Sequence, residues 1–346
     1  MSLLSAADPS GLLAAPLLDQ PWVQAPLRAA VIILGVPVLL LPLVYAFLKI
    51  HSHIMSRVGP MYAGRFHGIG QPIADFLKFI QKEDIIPARA DRKVFALAPF
   101  VVLIPAILLF AVIPVIPGVV AADTELGLFY VLAISGIGAI GVVMAAASSA
   151  SKFTLVGGLR AVGQIIAYEL PVVFGAAAIA MLAGSMSLTG IVQAQDLPFV
   201  INPFGLVAMF IYLSASLAEV MWAPFDMPMA ESEIITGPFT EYSGMRFLFF
   251  FFAEFAHVLA LAAIGTILFL GGWRGPGASL VPQNLEWAVG LFWFVAKLSF
   301  LCFLFIWIRF TLPRLREDQL QKFAWKFLIP LGLVNVMGVS LYKVLT

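Results

Sequence analysis

Charge is scarce in this sequence. Asp, Glu, Lys and Arg together make up 11% of its 346 residues, against about 25% in an ordinary soluble domain. With 62% of the residues hydrophobic, so few polar side chains cannot cover a water-soluble globule, and the bilayer is the expected solvent. Cysteine is nearly absent: Cys302 stands alone inside an apolar run. A single thiol forms no intrachain disulfide, and it excludes an iron–sulfur cluster or thiolate zinc site held by this chain alone. Its expected place is that of a small buried apolar side chain. The net charge of +1 gives no support to a nucleic-acid partner. The first 27 residues hold Asp8 and Asp19 but no Lys or Arg, so the basic region of a cleaved signal is missing. Pro9, Pro16, Pro21 and Pro26 predict an irregular lead-in over 1–28. No repeat of 20–50 residues and no soluble domain is evident; 1–346 reads as one membrane domain.

Long apolar runs are abundant, and they lack the two-residue alternation of a barrel strand, so the fold class is all-α and polytopic. Eight segments are long enough to cross about 30 Å of hydrocarbon at about 1.5 Å per residue. They lie near 29–48, 94–117, 126–149, 161–183, 203–222, 247–270, 287–308 and 327–346. Pro37, Pro42, Pro99, Pro105 and Pro114 fall inside the first two and suggest kinks, since neighbouring helices can re-satisfy freed carbonyls. Gly136, Gly138 and Gly141 in the third span permit close helix approach.

Lys and Arg in alternate loops set the orientation. Loop 49–93 carries Lys49, Arg57, Arg65, Lys78, Lys82, Arg89, Arg92 and Lys93. Lys152, Arg160 and Arg246 follow on the same side, and loop 309–326 adds Arg309, Arg314, Arg316, Lys322 and Lys326, sixteen in all. The other side has Arg28, Arg274 and, near the end, Lys343. Both termini are therefore expected outside, with the large charged loops facing the cytoplasm.

Ionisable residues inside spans are costly and point to function. Here they are Glu169, Glu219, Glu254, His257 and Lys297. They must face one another, a polar cavity or a partner, because an isolated charge in hydrocarbon neutralises. Lys297 either serves such a site or forms an ion pair that fixes helix register. His257 stands at i,i+3 from Glu254 and either partners it or acts on its own account. Loop 223–246 places Asp226, Glu231, Glu233 and Glu241 on the side that favours positive charge, and Pro224, Pro228 and Pro238 keep it from being one helix. It is either a solvated acidic loop or, with Glu219 continuing the series into the membrane, a proton-conducting chain of carboxylates. In Gln71–Lys82, Ile73, Phe76, Leu77 and Ile80 fall at i, i+3, i+4 and i+7, with Pro72 in the first turn. This is a short amphipathic surface helix that lies on the membrane or docks a soluble partner.

The acidic loop with its flanks, LAEVMWAPFDMPMAESEIITGPFTEYSGMRFLFFFFAEF, closely resembles a family of complex I proteins, the quinone-chamber membrane subunits of the proton-pumping NADH–quinone oxidoreductase. GQPIADFLKFIQKEDIIP, LVGGLRAVGQIIAYELP and FIWIRFTLPRLREDQLQKFAWKFLIPLGLVN resemble it too, in the same order. The resemblance implies a subunit of a translocating oxidoreductase in the cell inner membrane that forms the membrane side of a quinone tunnel. It also implies carboxylates that couple quinone reduction to proton movement. By that pattern the coupling residues are Tyr168, Glu169, Glu219, Asp226, Glu231, Glu233, Glu241 and Glu254. The quinone chamber takes Gln71, Asp75, Phe225, Tyr242 and Arg246, and Arg309, Arg314 and Arg316 match as a basic group. Quinone is the implied substrate, with no cofactor on this chain alone. NADH, FMN and iron–sulfur clusters sit on partner subunits: a hydrophilic arm carries the clusters, beside small and antiporter-like membrane subunits.

The chain departs from the family pattern in two places. FLKIHSHIMSRVGPM lacks the usual Glu-Arg pair after the first span and has Met61 for Asn. Met221-Trp222 replaces Asn-Arg, and Met229 replaces Glu. His51, His53 and His67 either supply replacement polarity or lie on the surface. The competing readings are the equivalent subunit of a relative, such as a membrane-bound hydrogenase or a deazaflavin dehydrogenase, and a stand-alone secondary transporter.

Overall fold

The computed structural model describes residues 21–64, 66–229, 231–276 and 285–345. Among the described residues every named element is a helix. In chain order these are α1 (Pro21–Ile54), α2 (Gln71–Gln81), α3 (Arg92–Leu108), α4 (Gly127–Ser148), α5 (Lys152–Ala183) and α6 (Leu188–Gln193). They continue with α7 (Pro203–Glu219), α8 (Glu231–Ile234), α9 (Gly244–Leu270), α10 (Glu286–Thr311), α11 (Glu317–Phe323) and α12 (Ile329–Leu345). A π-helical turn, Ala324–Leu328, joins α11 and α12 into one rod, and a tighter turn extends α3 to Ala111.

Seven of these rods are long and apolar enough to cross a membrane. The eighth expected span, α7, has 17 residues, about 26 Å at 1.5 Å per residue, which sits at the short limit for crossing. The first boundary needs correction. The lead-in predicted through residue 28 gives way to helix at Pro21. Proline at the start of a helix gives up an N–H that has no partner there, and the one freed by Pro26 would have bonded only the first turn. Charged loops are also shorter than expected: α1 runs on to Ile54, α9 takes in Arg246, and only 312–316 separate α10 from α11.

The interior is organised around α9, 67% of whose most apolar stretch is buried, against 22% for α1 and for the α11–α12 rod. Helices α1, α3, α7 and α10 all pack on it. Its core face is built from small residues, Ala253, Ala256, Ala260 and Ala263, which let these neighbours come close. On the outer rods Leu34, Phe292 and Val334 are about two thirds exposed, at 71%, 65% and 66%. Lipid or neighbouring subunits must cover them. Of the three glycines in α4, Gly141 permits the expected close approach: a Cβ there would lie 2.9 Å from the backbone nitrogen of Val102 in α3. Gly136 instead makes room for the Glu169 carboxylate, and Gly138 faces open space.

Loops alternate strictly between two ends. At one end Ser243 donates to the carbonyl of Glu83 (3.1 Å), the Leu315 amide to that of Pro224 (3.0 Å), and Arg160 pairs with Glu233 (2.6 Å). At the other, Arg28 donates to Ala121 (2.9 Å), Thr189 to Asp123 (2.9 Å) and Arg274 to the carbonyl of Gln195 (2.7 Å). Lys297 belongs to this second end, where it forms no ion pair among the described residues. It donates to the carbonyls of Leu270 (2.6 Å), Gly272 (3.0 Å) and Arg274, and so caps the C-terminus of α9. A cation suits the orphan carbonyls and the negative end of the helix dipole.

Candidate functional site

A cavity of about 80 Å³ lies between α3, α4, α7 and α9. Its walls are largely apolar, with Val102, Ile165 and Phe250 among them, and Glu219, Glu254 and His257 break the pattern. Glu219 ends α7 and is 9% exposed. Its Oε1 lies 3.3 Å from His257 Nε2, and its Oε2 finds no hydrogen bond among the described residues. His257 therefore reaches across to α7 instead of along α9 to Glu254, its expected partner. The reason is that Glu254 is already occupied. It accepts from the indole Nε1 of Trp222 (2.5 Å) and from Arg309 (3.3 Å). The Arg309 guanidinium in turn lies over Trp222, 4.4 Å from a ring centroid, and over Phe47 at 5.0 Å. Aromatic faces stabilise a partly desolvated cation that its carboxylate alone would not satisfy.

The turn that places Glu219 is held from below. Gln164 of α5, fully buried, donates to the carbonyls of Ala218 and Phe225, each at 2.6 Å. This ties the last turn of α7 to the acidic loop, and Met221 between them adopts φ +60°. Phe225 is buried there, and Asp226 beside it is half-buried. Tyr168 lies 5.4 Å from Phe225, ring to ring, and donates to the carbonyl of Leu320 (2.9 Å). It fastens α11 to the loop and does not reach the cavity. Glu169 points the other way, into the space left by Gly136 of α4.

The remaining acids are spread out. Glu233 is pinned by Arg160 (2.6 Å) and Arg314 (3.3 Å), and these cations hold its carboxyl below the usual range. Glu241 is half-buried and has no ion-pair partner among the described residues. Glu231 opens α8, and its side chain lies outside the described residues, as does all of Arg65. Tyr242 stacks on Phe95 of α3 with centroids 3.9 Å apart and donates to that residue's carbonyl (3.2 Å). Burial pushes its hydroxyl up to about 12. Arg246 pairs with Asp84 at 3.2 Å. The acids expected to form one chain thus fall into separate groups: Glu219 and Glu254 line the cavity, with Glu169 near enough to feel the Glu219 charge, and the others lie apart.

A larger apolar groove, about 480 Å³, opens between α1, α2 and α9. Leu40, Val44, Phe47, Phe76 and Phe252 line it, with Asp75, Lys78 and Lys82 at its rim. Gln71 donates to Asp75 (2.8 Å), which lies 3.7 Å from Lys78. Phe76 packs on Phe252 (5.8 Å) and Phe79 on Phe247 (5.9 Å), which seats α2 on α9. Ile73, Leu77 and Ile80 form an exposed apolar stripe on another face. Phe47 belongs to both this groove and the aromatic surround of Arg309. Reading the sequence alone missed the role of Trp222, since its indole N–H was not counted as a donor. It also missed Gln164, a polar residue in an apolar span that signals a backbone needing support. Among the described residues no group of His, Cys, Asp and Glu is suited to a metal ion.

Comparison with known proteins matches residues 27–340 to a family described as NADH dehydrogenase. Relatives named as the H subunit of NADH-quinone oxidoreductase include one from Dehalococcoides mccartyi, 48% identical over 84% of this chain and 78% of its own length. Those from Geobacillus kaustophilus and Bacillus cytotoxicus are 43% and 42% identical, over 89% and 90% of this chain and 93% and 94% of theirs.

Proposed function

The chain belongs to the NADH dehydrogenase family, and on that premise we propose that its buried acids couple the reduction of a quinone to proton movement. It is a multi-pass membrane subunit of an NADH–quinone oxidoreductase of the complex I type, inactive as a redox enzyme on its own. The donor NADH, with FMN and iron–sulfur clusters, belongs on partner subunits docked at the charged end, which we assign to the cytoplasm, with both termini outside. Small and antiporter-like membrane subunits would cover the exposed apolar rods.

The groove between α1, α2 and α9 suits the lateral entrance of a quinone. Its aromatic walls fit a planar ring and an isoprenoid tail, and Gln71, Asp75 and Lys78 at the rim offer hydrogen bonds to a carbonyl headgroup. By the resemblance, Tyr242, Arg246 and Phe225 would belong to the inner path towards the arm. Quinone reduction takes up two electrons from the partner subunits and two protons. A change of charge there acts on acids that water does not screen. The observation that carries this reading is the pair of carboxylates, Glu219 buried and Glu254 partly buried, in one small cavity beside the acidic loop. Glu169, Asp226, Glu231, Glu233 and Glu241 would extend the path from it, with Tyr168 holding the loop in register.

The test is Glu219→Gln in the assembled complex. Assembly should be retained, because the amide fills the same volume, while quinone reduction falls by about 10-fold or more. Wild-type turnover in this variant would refute the site.

A further inference from the structure

We propose that His257 is the proton partner of Glu219, a positioning residue that sets when this acid takes up and gives off its proton. The inference rests on the reading of Glu219 as a coupling acid and adds the group through which it works. The two acids of the cavity are not equivalent. Glu254 has a permanent cation, Arg309, and a second donor in Trp222. Among the described residues Glu219 has no Lys or Arg partner. The one group able to become positive at its carboxylate is the imidazole of His257, 3.3 Å away, with the two side chains 17% and 5% exposed.

A buried carboxylate without a cation is driven to its neutral form, and a buried imidazolium without an anion likewise. The two therefore hold one proton between them. With the proton on the imidazole, Nδ1 and Nε2 are both protonated and Glu219 is ionised. Passing the Nε2 proton to Oε1 leaves a neutral imidazole and a carboxylic acid. The pair is neutral before and after, so the transfer costs little in a low-dielectric site. At 3.3 Å the two atoms are within reach of each other, and His257 Nε2 has no other hydrogen-bond partner among the described residues. Adding or removing a second proton changes the net charge, and that step responds to charge arriving nearby.

The surroundings define what that charge meets. From α10 comes Arg309, bonded to Glu254. His51 of α1 is stacked on Phe310 at 4.0 Å, next to Arg309. Glu169 of α5 rests against Gly136, close enough to Glu219 for the two charges to act on each other, and Tyr212 of α7 also lies within reach of the Glu219 charge. α2 brings Asp75, Lys78 and Lys82 to the groove, away from the cavity. α3 and α4 present apolar side chains, glycine and Ser135. None of these replaces His257 as a proton partner of Glu219.

The experiment uses the whole complex in native membranes, with turnover counted per assembled complex. His257→Gln keeps an N–H donor towards Glu219 but cannot take a proton; His257→Asn is the shorter second variant. Both should lower quinone reduction by roughly 10-fold. In His257→Gln the pH profile of turnover should also change, because no imidazole then faces Glu219 to share its proton. A purely structural histidine would be rescued by Gln in both turnover and pH profile. That rescue, with Glu219→Gln still slow, overturns the inference alone. Wild-type turnover in Glu219→Gln as well would remove the underlying site with it.

Discussion

Glu254 shows how a carboxylate in a span is satisfied by residues far apart in the sequence. Where the resemblance implies an arginine, this chain has Trp222, and the substitution reads in the sequence as a lost charge. In the fold the indole donates to Glu254 at 2.5 Å and walls in Arg309, which supplies the charge from α10. No spacing in the sequence reveals this, because residues 222, 254 and 309 meet only when α9 and α10 pack beside the α7 turn. Breaking one side of a fully buried pair costs about 3–5 kcal/mol, whereas removing both sides is often nearly neutral; Arg309 and Glu254 are 27% and 17% exposed, so the cost here is smaller but of the same sign. Arg309→Met should therefore sharply reduce the assembled complex. Arg309→Met combined with Glu254→Gln should recover most of it, as judged by native electrophoresis and thermal inactivation. If the double variant is no better than the single, the carboxylate is not what Arg309 compensates.

Among the elements, the helices were legible and their contacts were not. Hydropathy and length placed the seven rods long enough to cross, and the shorter α7, because hydrocarbon imposes one rule on every residue of a span. The apolar face of α2 was equally visible in its period, although Phe76 and Phe79 turn to α9 while Ile73, Leu77 and Ile80 remain uncovered. Three glycines in α4 announced a close approach without saying which of them makes it. A Cβ at Gly141 meets the backbone of α3, whereas one at Gly138 meets nothing within 4 Å. Backbone cannot yield as a side chain can. Gly141→Ala should then destabilise the α3–α4 contact by about 1–3 kcal/mol, and Gly138→Ala should be close to neutral. Thermal inactivation of the two variants side by side checks this; equal losses would mean that helix packing does not distinguish the sites.

At the scale of the whole molecule, the two ends differ in kind. One carries sixteen of the twenty Lys and Arg residues, and its loops are laced together by Arg160, Glu233 and Arg314. The other is sealed by backbone contacts and by Lys297 over the end of α9. Positive charge resists translocation, and on that ground we assign the first end to the cytoplasm. That expectation depends on a sum over loops, which the sequence supplies, whereas the partition of the acids into separate groups depends on individual contacts. The native thiol, Cys302, is buried, so new cysteines report alone. Asp196→Cys, at a side chain that is fully exposed, and Lys343→Cys, near the C-terminus, should both react with a membrane-impermeant maleimide in intact cells. Lys322→Cys, 64% exposed at the charged end, should react only after the membrane is opened, and more strongly once peripheral subunits are stripped away. Labelling of Lys322→Cys in intact cells, with Asp196→Cys silent, would invert the protein. The soluble electron-carrying subunits would then have to dock on the wrong side of the membrane, and the assignment of the groove and the buried acids to a cytoplasm-facing quinone site would fall with it.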